Sequence, residues 1–403
     1  MPKRFDVAVV GGGAAGLVAA ISAARRGDSV VICERMPRLG KKILVTGGGR
    51  CNLTNEDLGP EAFASGSPGL VAAVFGRFGK DAIRGFFKGL GLETWSEGRR
   101  VFPATNQASS VLKVLEMEAE RLGVIAELGF EVTLIRHSGT SFSVEGGDGR
   151  RVEARSIILA GGGLSYPALG SNGSAYELAG RFGHRLVTPV PSAVPVLVKD
   201  PMCHFLQGQK VRAAAVALVG GKPAGRAEGE VLFTQYGLSG TAVLDVSESL
   251  SIAIHREGRA DAALVLDLVP FLSEEALASE FRRRAKAGWP AGDLAVGILP
   301  DKFAPVISAM ATGPGGGQGD AGGALAASLK AKRFAVSGTR GWNEAEFTSG
   351  GVDAREVDPR TLESKFRAGL FLAGEMLDVQ GGRGGFNLAW AWASGHVAGL
   401  AGR

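Results

Sequence analysis

Apolar residues are unevenly spaced along this chain, and the spacing changes part-way. The run FDVAVV at 5–10 is short and mostly apolar without polar alternation, which predicts a strand buried on both faces of a parallel sheet. Glycine and alanine fill 11–16, an alanine-rich helix reads over 17–26 up to Gly27, and SVVICE at 29–34 predicts a second buried strand. Later runs repeat the theme. Residues 127–136 read as a strand with Val132 toward the core. Residues 156–160 read as a buried strand closed by three glycines. A last short strand covers 369–375, with a glycine at its carboxyl end, and an alanine- and tryptophan-rich helix runs over about 388–401. Trp390 and Trp392 on that helix are expected in the core, and His396 as a packed or surface residue.

Between about 188 and 340 the pattern differs. Short β-like runs at 194–198, 211–218, 230–234 and 263–268 suggest a small antiparallel barrel. Helices are expected over 272–287, where Ser273 can cap ahead of Glu274 and Glu275, and over 293–311 and 324–332. The expected fold class is α/β. Residues 1–187 and 340–403 form a discontinuous Rossmann-like dinucleotide-binding domain. Residues 188–339 form an inserted domain, a small β-barrel with a helical subdomain or lid over about 270–325, and the substrate is expected between the two. The glycine-rich run 312–323 reads as a flexible loop.

The strand–glycine–helix context makes the first glycine motif informative. Gly11 allows the tight turn, Gly13 lets a pyrophosphate approach the backbone, and Gly16 lets the helix pack on the strand. Ala14 and Ala15 complete the turn, and the helix N-terminus offers N–H groups to phosphate. Glu34 ends the second strand 18 residues after Gly16, where a carboxylate can accept from ribose hydroxyls; Arg35 follows it. The motif fixes a dinucleotide but not which one. The long excursion LGKKILVTGGGRCNLTN at 39–55 decides it, because a glycine-rich loop placed there suits a cofactor larger than NAD.

That segment resembles the hallmark of the YhiN/BaiN-like flavoproteins, a family of FAD-dependent oxidoreductases often labelled aminoacetone-oxidase-like. Similarity continues at IILAGGGLSYP (157–167), GEVLFTQYGLSG (229–240) and 372–399, so it spans nearly the whole chain. One departure is Gly240-Thr241, where the family pattern has Gly-Pro. The resemblance implies FAD as cofactor. It adds to the binding set Lys42, Gly48, Gly49, Arg50, Cys51 and Asn52 from the excursion, Val132 near the adenine, and Gly161 after the middle strand. From the C-terminal segment it adds Gly374, Glu375, Asp378, Gly384, Gly385, Phe386 and Asn387, with the last helix N-terminus toward the flavin pyrimidine edge. Weak catalytic candidates are Tyr236, as a proton donor, and Cys51.

Composition narrows the function. A second strand–GxGxxG–helix unit is missing, so NADH or NADPH would bind only transiently as electron donor, and no CxxC supports a dithiol reductase. The three cysteines, Cys33, Cys51 and Cys203, form no metal cluster, and a sparse odd count suits a reducing, cytoplasmic setting. A strand that begins at residue 5 leaves no room for a signal peptide, and no apolar stretch is long enough for a membrane span. A net charge of +5 suits an anionic cofactor. Its densest cluster, Arg282 to Arg284 with Lys286, reads as a solvated helix face without interleaved aromatics, which disfavours nucleic acid. The resemblance implies, as the activity, reduction of a conjugated C=C bond or of a similar small organic substrate. The alternatives are amine or amino-ketone oxidation, and a flavin-bound nucleic-acid-modifying or regulatory role.

Overall fold

The computed structural model describes residues 3–312 and 320–402. The chain divides into two compact units, Met1–Pro189 with Phe347–Arg403, and Val190–Glu346.

In the first unit β1 (Lys3–Val10), α1 (Ala14–Arg25) and β2 (Val30–Glu34) form the expected βαβ turn. Strand β1 lies between β2 and Arg151–Leu159, both parallel to it. Leu370–Leu372 continues the parallel sheet beyond Arg151–Leu159, and Ile125–Leu128 flanks β2. The first half of Arg151–Leu159 also pairs antiparallel with Ser141–Gly146, which pairs in turn with Val132–Ser138. The stretches 7–10, 30–33 and 157–159 of the parallel strands are apolar and buried, with α1 packed against the sheet. Leu17 and Ile21 of α1, Ile32 of β2, and Trp390 and Trp392 of the C-terminal helix Phe386–Ala401 are all fully buried. Each such side chain contributes about 1.5–3 kcal/mol.

The C-terminal helix packs on α1 through glycines. A Cβ at Gly395 would sit 2.3 Å from the Ala15 carbonyl oxygen, and one at Gly399 would sit 2.4 Å from that of Ala19. Small residues four apart on both helices let the backbones touch.

The strand expected over 127–136 is two strands. Gly129 has a φ of +61°, its N–H donates to the Met36 carbonyl, and the next N–H, of Phe130, donates to that of Glu34. The buried Phe130 ring holds this corner, and Val132 starts the antiparallel meander, buried.

In the second unit six strands close a barrel in the order Val196–Val198, Gly237–Ser239, Lys222–Thr234, Lys210–Val219, Ala262–Asp267 and Lys332–Thr339. Helix Glu274–Lys286 forms as expected, with the Ser273 hydroxyl accepting from the Ala276 N–H. The helix expected over 293–311 breaks at Gly297 and Pro300 into two short turns and Ala304–Thr312. Helix Thr241–Ser251 was not expected from the sequence. It starts at the departure from the family pattern, where a Cβ at Gly240 would lie 2.3 Å from the Glu230 carbonyl oxygen. Of the glycine-rich run, 313–319 lie outside the described residues, and 321–323 begin helix Ala321–Lys330. The arginine cluster is an ion-paired face: Arg282 bonds Asp320, and Arg283 and Arg284 bond Glu280.

Candidate cofactor and active site

The glycines at the β1–α1 turn do different work. A Cβ at Gly11 would meet the Ala160 carbonyl oxygen at 2.6 Å, and one at Gly16 would meet the Gly11 carbonyl oxygen at 1.8 Å, so protein fills both spaces. A Cβ at Gly13 meets nothing within 4 Å. Gly13 is also the N-cap of α1, and no side chain caps the helix. The open space therefore lies beside uncapped N–H groups at the positive end of a helix dipole, a cradle for an anion. Glu34 is buried under the turn. Its Oε2 accepts from the Gly12 N–H at 2.6 Å and its Oε1 from the Met36 N–H at 2.7 Å, which fixes the carboxylate for a further hydroxyl donor. Arg35 pairs with Glu131 at 3.4 Å.

Lys42 and Glu375, distant in sequence, form an ion pair at 2.6 Å. The Ser165 hydroxyl donates to Glu375 Oε1 at 2.9 Å and accepts from Lys42 Nζ at 2.6 Å, and the Thr348 N–H donates to the same Glu375 oxygen at 2.9 Å. Burial pushes the Glu375 carboxyl up, but Lys42, Ser165 and Thr348 outweigh it and hold it below its ordinary value. Ser165 and Thr348 were not among the expected binding residues; only their convergence on the half-buried Glu375 carboxylate reveals them. The three glycines at 161–163 are required by packing: their Cβ positions would meet Ala175 at 2.5 Å, Ser171 at 2.8 Å and Thr348 at 2.4 Å. Gly161 backs the Gly11 turn, with its Cα 3.0 Å from the position of a Gly11 Cβ.

The loop at 46–52 is wound left-handed. Gly47, Gly48, Gly49 and Cys51 have φ of 58°, 66°, 87° and 58°. A Cβ at Gly48 meets nothing within 4 Å, and one at Gly49 meets only the Leu44 carbonyl oxygen at 3.8 Å. Arg50 turns toward Glu97 and Asn106. Cys51 is fully buried, and burial pushes its thiol up to about 12, so it stays protonated. Asn52 and Thr54 are buried; Asn52 Oδ1 and the Thr54 hydroxyl have no partner.

The C-terminal segment docks on this loop. A Cβ at Gly385 would sit 2.6 Å from the Thr54 carbonyl oxygen and 2.8 Å from Asn52 Oδ1. Asn55 Nδ2 donates to the Gly384 carbonyl at 2.9 Å, and Trp392 Nε1 donates to that of Leu53 at 3.1 Å. Asn387 locks its own loop, accepting from the Gly381 N–H at 3.0 Å and donating to the Gly381 carbonyl at 2.8 Å. Asp378 is buried, and the Trp390 indole donates to the Gly374 carbonyl at 3.1 Å. The C-terminal helix starts at Phe386 without a side-chain cap. His396 stacks on Phe78 at 4.0 Å and bonds Ser22 at 2.9 Å, so it is a packed residue.

Tyr236 belongs to the barrel unit. It is half-buried under the Arg340 guanidinium, 4.8 Å from its ring, and Arg340 is paired with Glu344.

The 39–55 excursion thus contacts the N-terminal turn, through the Gly40 N–H on the Gly12 carbonyl, and the C-terminal glycine loop, through Asn55 on Gly384. A family model described as the HI0933-like protein Rossmann domain matches residues 5–401. The chain belongs to the HI0933-like family. This HI0933-like protein is 37% identical to the 3-dehydro-bile acid delta(4,6)-reductase of Clostridium scindens, over 98% of each chain. It is 30% identical to the ribosomal RNA dihydrouridine synthase of Escherichia coli, over 97% of this chain and 96% of that one. Among solved structures, 3-ketosteroid-delta4-(5alpha)-dehydrogenase of Rhodococcus jostii shares the fold, with a TM-score of 0.51, 18% identity and coverage of 99% and 97%. The HI0933-like protein is an FAD-dependent oxidoreductase. Its residues fit the cofactor, since the space beside Gly13 faces an uncapped helix and the buried acceptor of Asn52 is unpartnered. Among the described residues no cluster of three or more His, Cys, Asp or Glu could hold a metal, and no helix is long and apolar enough to cross a membrane.

Proposed function

We propose that this protein reduces a C=C bond conjugated to a carbonyl in a small organic substrate, with NADH or NADPH as a transiently bound donor. One observation carries the reading. Two relatives aligned along almost the whole chain have names that describe hydrogen added to such a bond, in a 3-oxo-delta(4,6) steroid ring and in the uracil ring of uridine. The rings differ, but the reacting C=C–C=O unit is the same.

The residues divide the work accordingly. The α1 N-terminus beside Gly13 would receive the pyrophosphate, and Glu34 a ribose hydroxyl. Gly48 and Gly49 leave open space for a flat ring system. The uncapped C-terminal helix would stabilise negative charge on the ring. When bound, the flavin supplies the hydride chemistry. Lys42 and Glu375 neutralise each other and tie the 39–55 excursion to the C-terminal segment.

A second reading takes uridine in ribosomal RNA as the acceptor, favoured by the full-length match to the Escherichia coli synthase. The test is anaerobic. Holoenzyme is reduced with NADH or NADPH and then mixed with 4-androstene-3,17-dione or with unmodified ribosomal RNA. Bleaching near ~450 nm by a nicotinamide, and reoxidation by the steroid with formation of its saturated ketone, is the expected result. Reoxidation by RNA alone, with dihydrouridine formed, selects the second reading. A flavin that no nicotinamide reduces refutes the proposed donor.

A further inference from the structure

We propose that Arg50 anchors the carbonyl oxygen of the acceptor, and that Glu97 and Asn106 are positioning residues that hold its guanidinium for the task. The inference rests on the conjugated-carbonyl reading above.

Arg50 directly follows the two glycines whose Cβ positions are open. Its guanidinium is fixed on three sides. Nη1 donates to Glu97 Oε2 at 2.9 Å, and Nε and Nη2 donate to Asn106 Oδ1 at 3.2 and 3.0 Å. The guanidinium carbon lies 4.0 Å from the buried Phe102 ring and 6.0 Å from that of Trp95. The Trp95 indole donates to the same Asn106 oxygen at 3.2 Å. Every one of these partners lies between 95 and 106, on the hairpin Thr94–Glu97 and Arg100–Pro103 and the turn after it.

Two backbone distortions accompany the clamp. Cys51, the next residue, and Asn106, the acceptor, are non-glycine residues with φ of +58° and +52°. Left-handed non-glycine backbone is costly and persists only where the surroundings enforce it, a pattern that concentrates at functional sites. Here one lies next to Arg50 in the chain and the other at the residue that accepts from its guanidinium.

A guanidinium has five N–H donors, and three are engaged by Glu97 and Asn106, which leaves one on each Nη. The side chain is 35% exposed, so these donors can be reached. A pair of N–H groups on a rigid, stacked cation suits a single oxygen that gains negative charge. The cofactor, when bound and reduced, would supply a hydride to the β-carbon. The C=C π bond breaks, and its electron pair moves to the carbonyl oxygen as an enolate. The Arg50 N–H groups stabilise that oxygen. The α-carbon then takes a proton from water, giving the saturated ketone. A guanidinium offers only donors, so Arg50 acts here by hydrogen bonding.

The test uses holoenzyme of the wild type and of Arg50→Met, Arg50→Lys and Glu97→Gln. Each is reduced with dithionite, so that no donor site is needed, and mixed with 4-androstene-3,17-dione. All four should carry stoichiometric FAD. Arg50→Met should reoxidise roughly 100-fold more slowly, the usual scale for a lost oxyanion donor. Millimolar guanidinium should restore part of that rate, and Arg50→Lys and Glu97→Gln should fall between. A rate within threefold of wild type, or loss of FAD from Arg50→Met, overturns the proposal. A second readout needs no turnover. The phenolate of 4-hydroxybenzaldehyde mimics the enolate oxygen, and its long-wavelength charge-transfer band should appear in the wild type and require at least tenfold more ligand in Arg50→Met. Equal titrations, or no band in the wild type, also overturn the proposal. Absence of wild-type reoxidation by the steroid, with the band behaving as expected, removes the substrate reading and leaves the anchor standing.

Discussion

Substituting Gly13 separates a cofactor role from a folding role. A Cβ at Gly13 meets no protein atom within 4 Å, whereas one at Gly16 would sit 1.8 Å from a backbone oxygen. Gly13 has a φ of −81°, which any residue adopts. Replacing glycine by alanine or valine at this N-cap costs the flavin-stripped protein about 1 kcal/mol or less. Phosphate bonds to the α1 N–H groups are charge-assisted, at about 1.5–3 kcal/mol each. A valine side chain in the open space displaces the phosphate from at least two of them. Roughly 3–6 kcal/mol is then lost, a hundredfold or greater weakening of FAD binding. Gly16→Val should instead fail to fold stably with or without cofactor. The assay is a pair of measurements on each variant: the melting temperature of the flavin-stripped protein, and FAD stoichiometry from absorbance after reconstitution. Gly13→Val that binds stoichiometric FAD tightly would refute the phosphate placement. Gly13→Val that melts as low as Gly16→Val would refute the claim that the space is open.

Three further outcomes are expected. Gly395→Val should lower the melting temperature through overpacking, about 1–3 kcal/mol or more, because a Cβ there would lie 2.3 Å from the Ala15 carbonyl oxygen; an unchanged melting curve would show that the helix contact is loose. Burial, with Arg25 and Arg77 nearby, pushes the His396 imidazole down to about 4, below its ordinary value, so the unfolded chain takes up this proton first as pH falls. Its contribution to stability is therefore complete above ~6.5 and is lost toward pH 4, and denaturant titrations of His396→Phe should show a shallower decline over that window than the wild type. All three thiols are buried and each is pushed up to about 12, so iodoacetamide at pH 8 should leave the native protein unlabelled and active; rapid labelling of Cys51 would restore it as a reactive group.

Local patterns in the sequence reached far. The run 5–10, the glycines and the run 29–34 dictate a βαβ turn, because apolar strands, a tight turn and an alanine-rich helix each have a local cause. The barrel was legible in short strands separated by turns. The corner at Gly129 was not, because an apolar run does not reveal where a left-handed residue and a buried Phe130 redirect the chain. The break of 293–311 could be read from Gly297 and Pro300, and helix Thr241–Ser251 could be read from Val243, Val246 and Leu250, which stand at helical spacing and are buried.

Glycine shows the division most clearly. The strand–glycine–helix motif already separates Gly11, for the turn, from Gly13, for a phosphate, and Gly16, for packing. It says nothing of 161–163, where only the fold shows that protein occupies the space beside each glycine. The ion pair of Lys42 with Glu375, the bonds of Ser165 to both and of Thr348 to Glu375, and the clamp of Glu97 and Asn106 on Arg50 join segments tens to hundreds of residues apart. Periodicity and local motifs follow from bonding between near neighbours, so the chain itself determined the dinucleotide turn and the elements around it. Which side chains meet depends on how those elements pack, and that was decided by the tertiary structure alone.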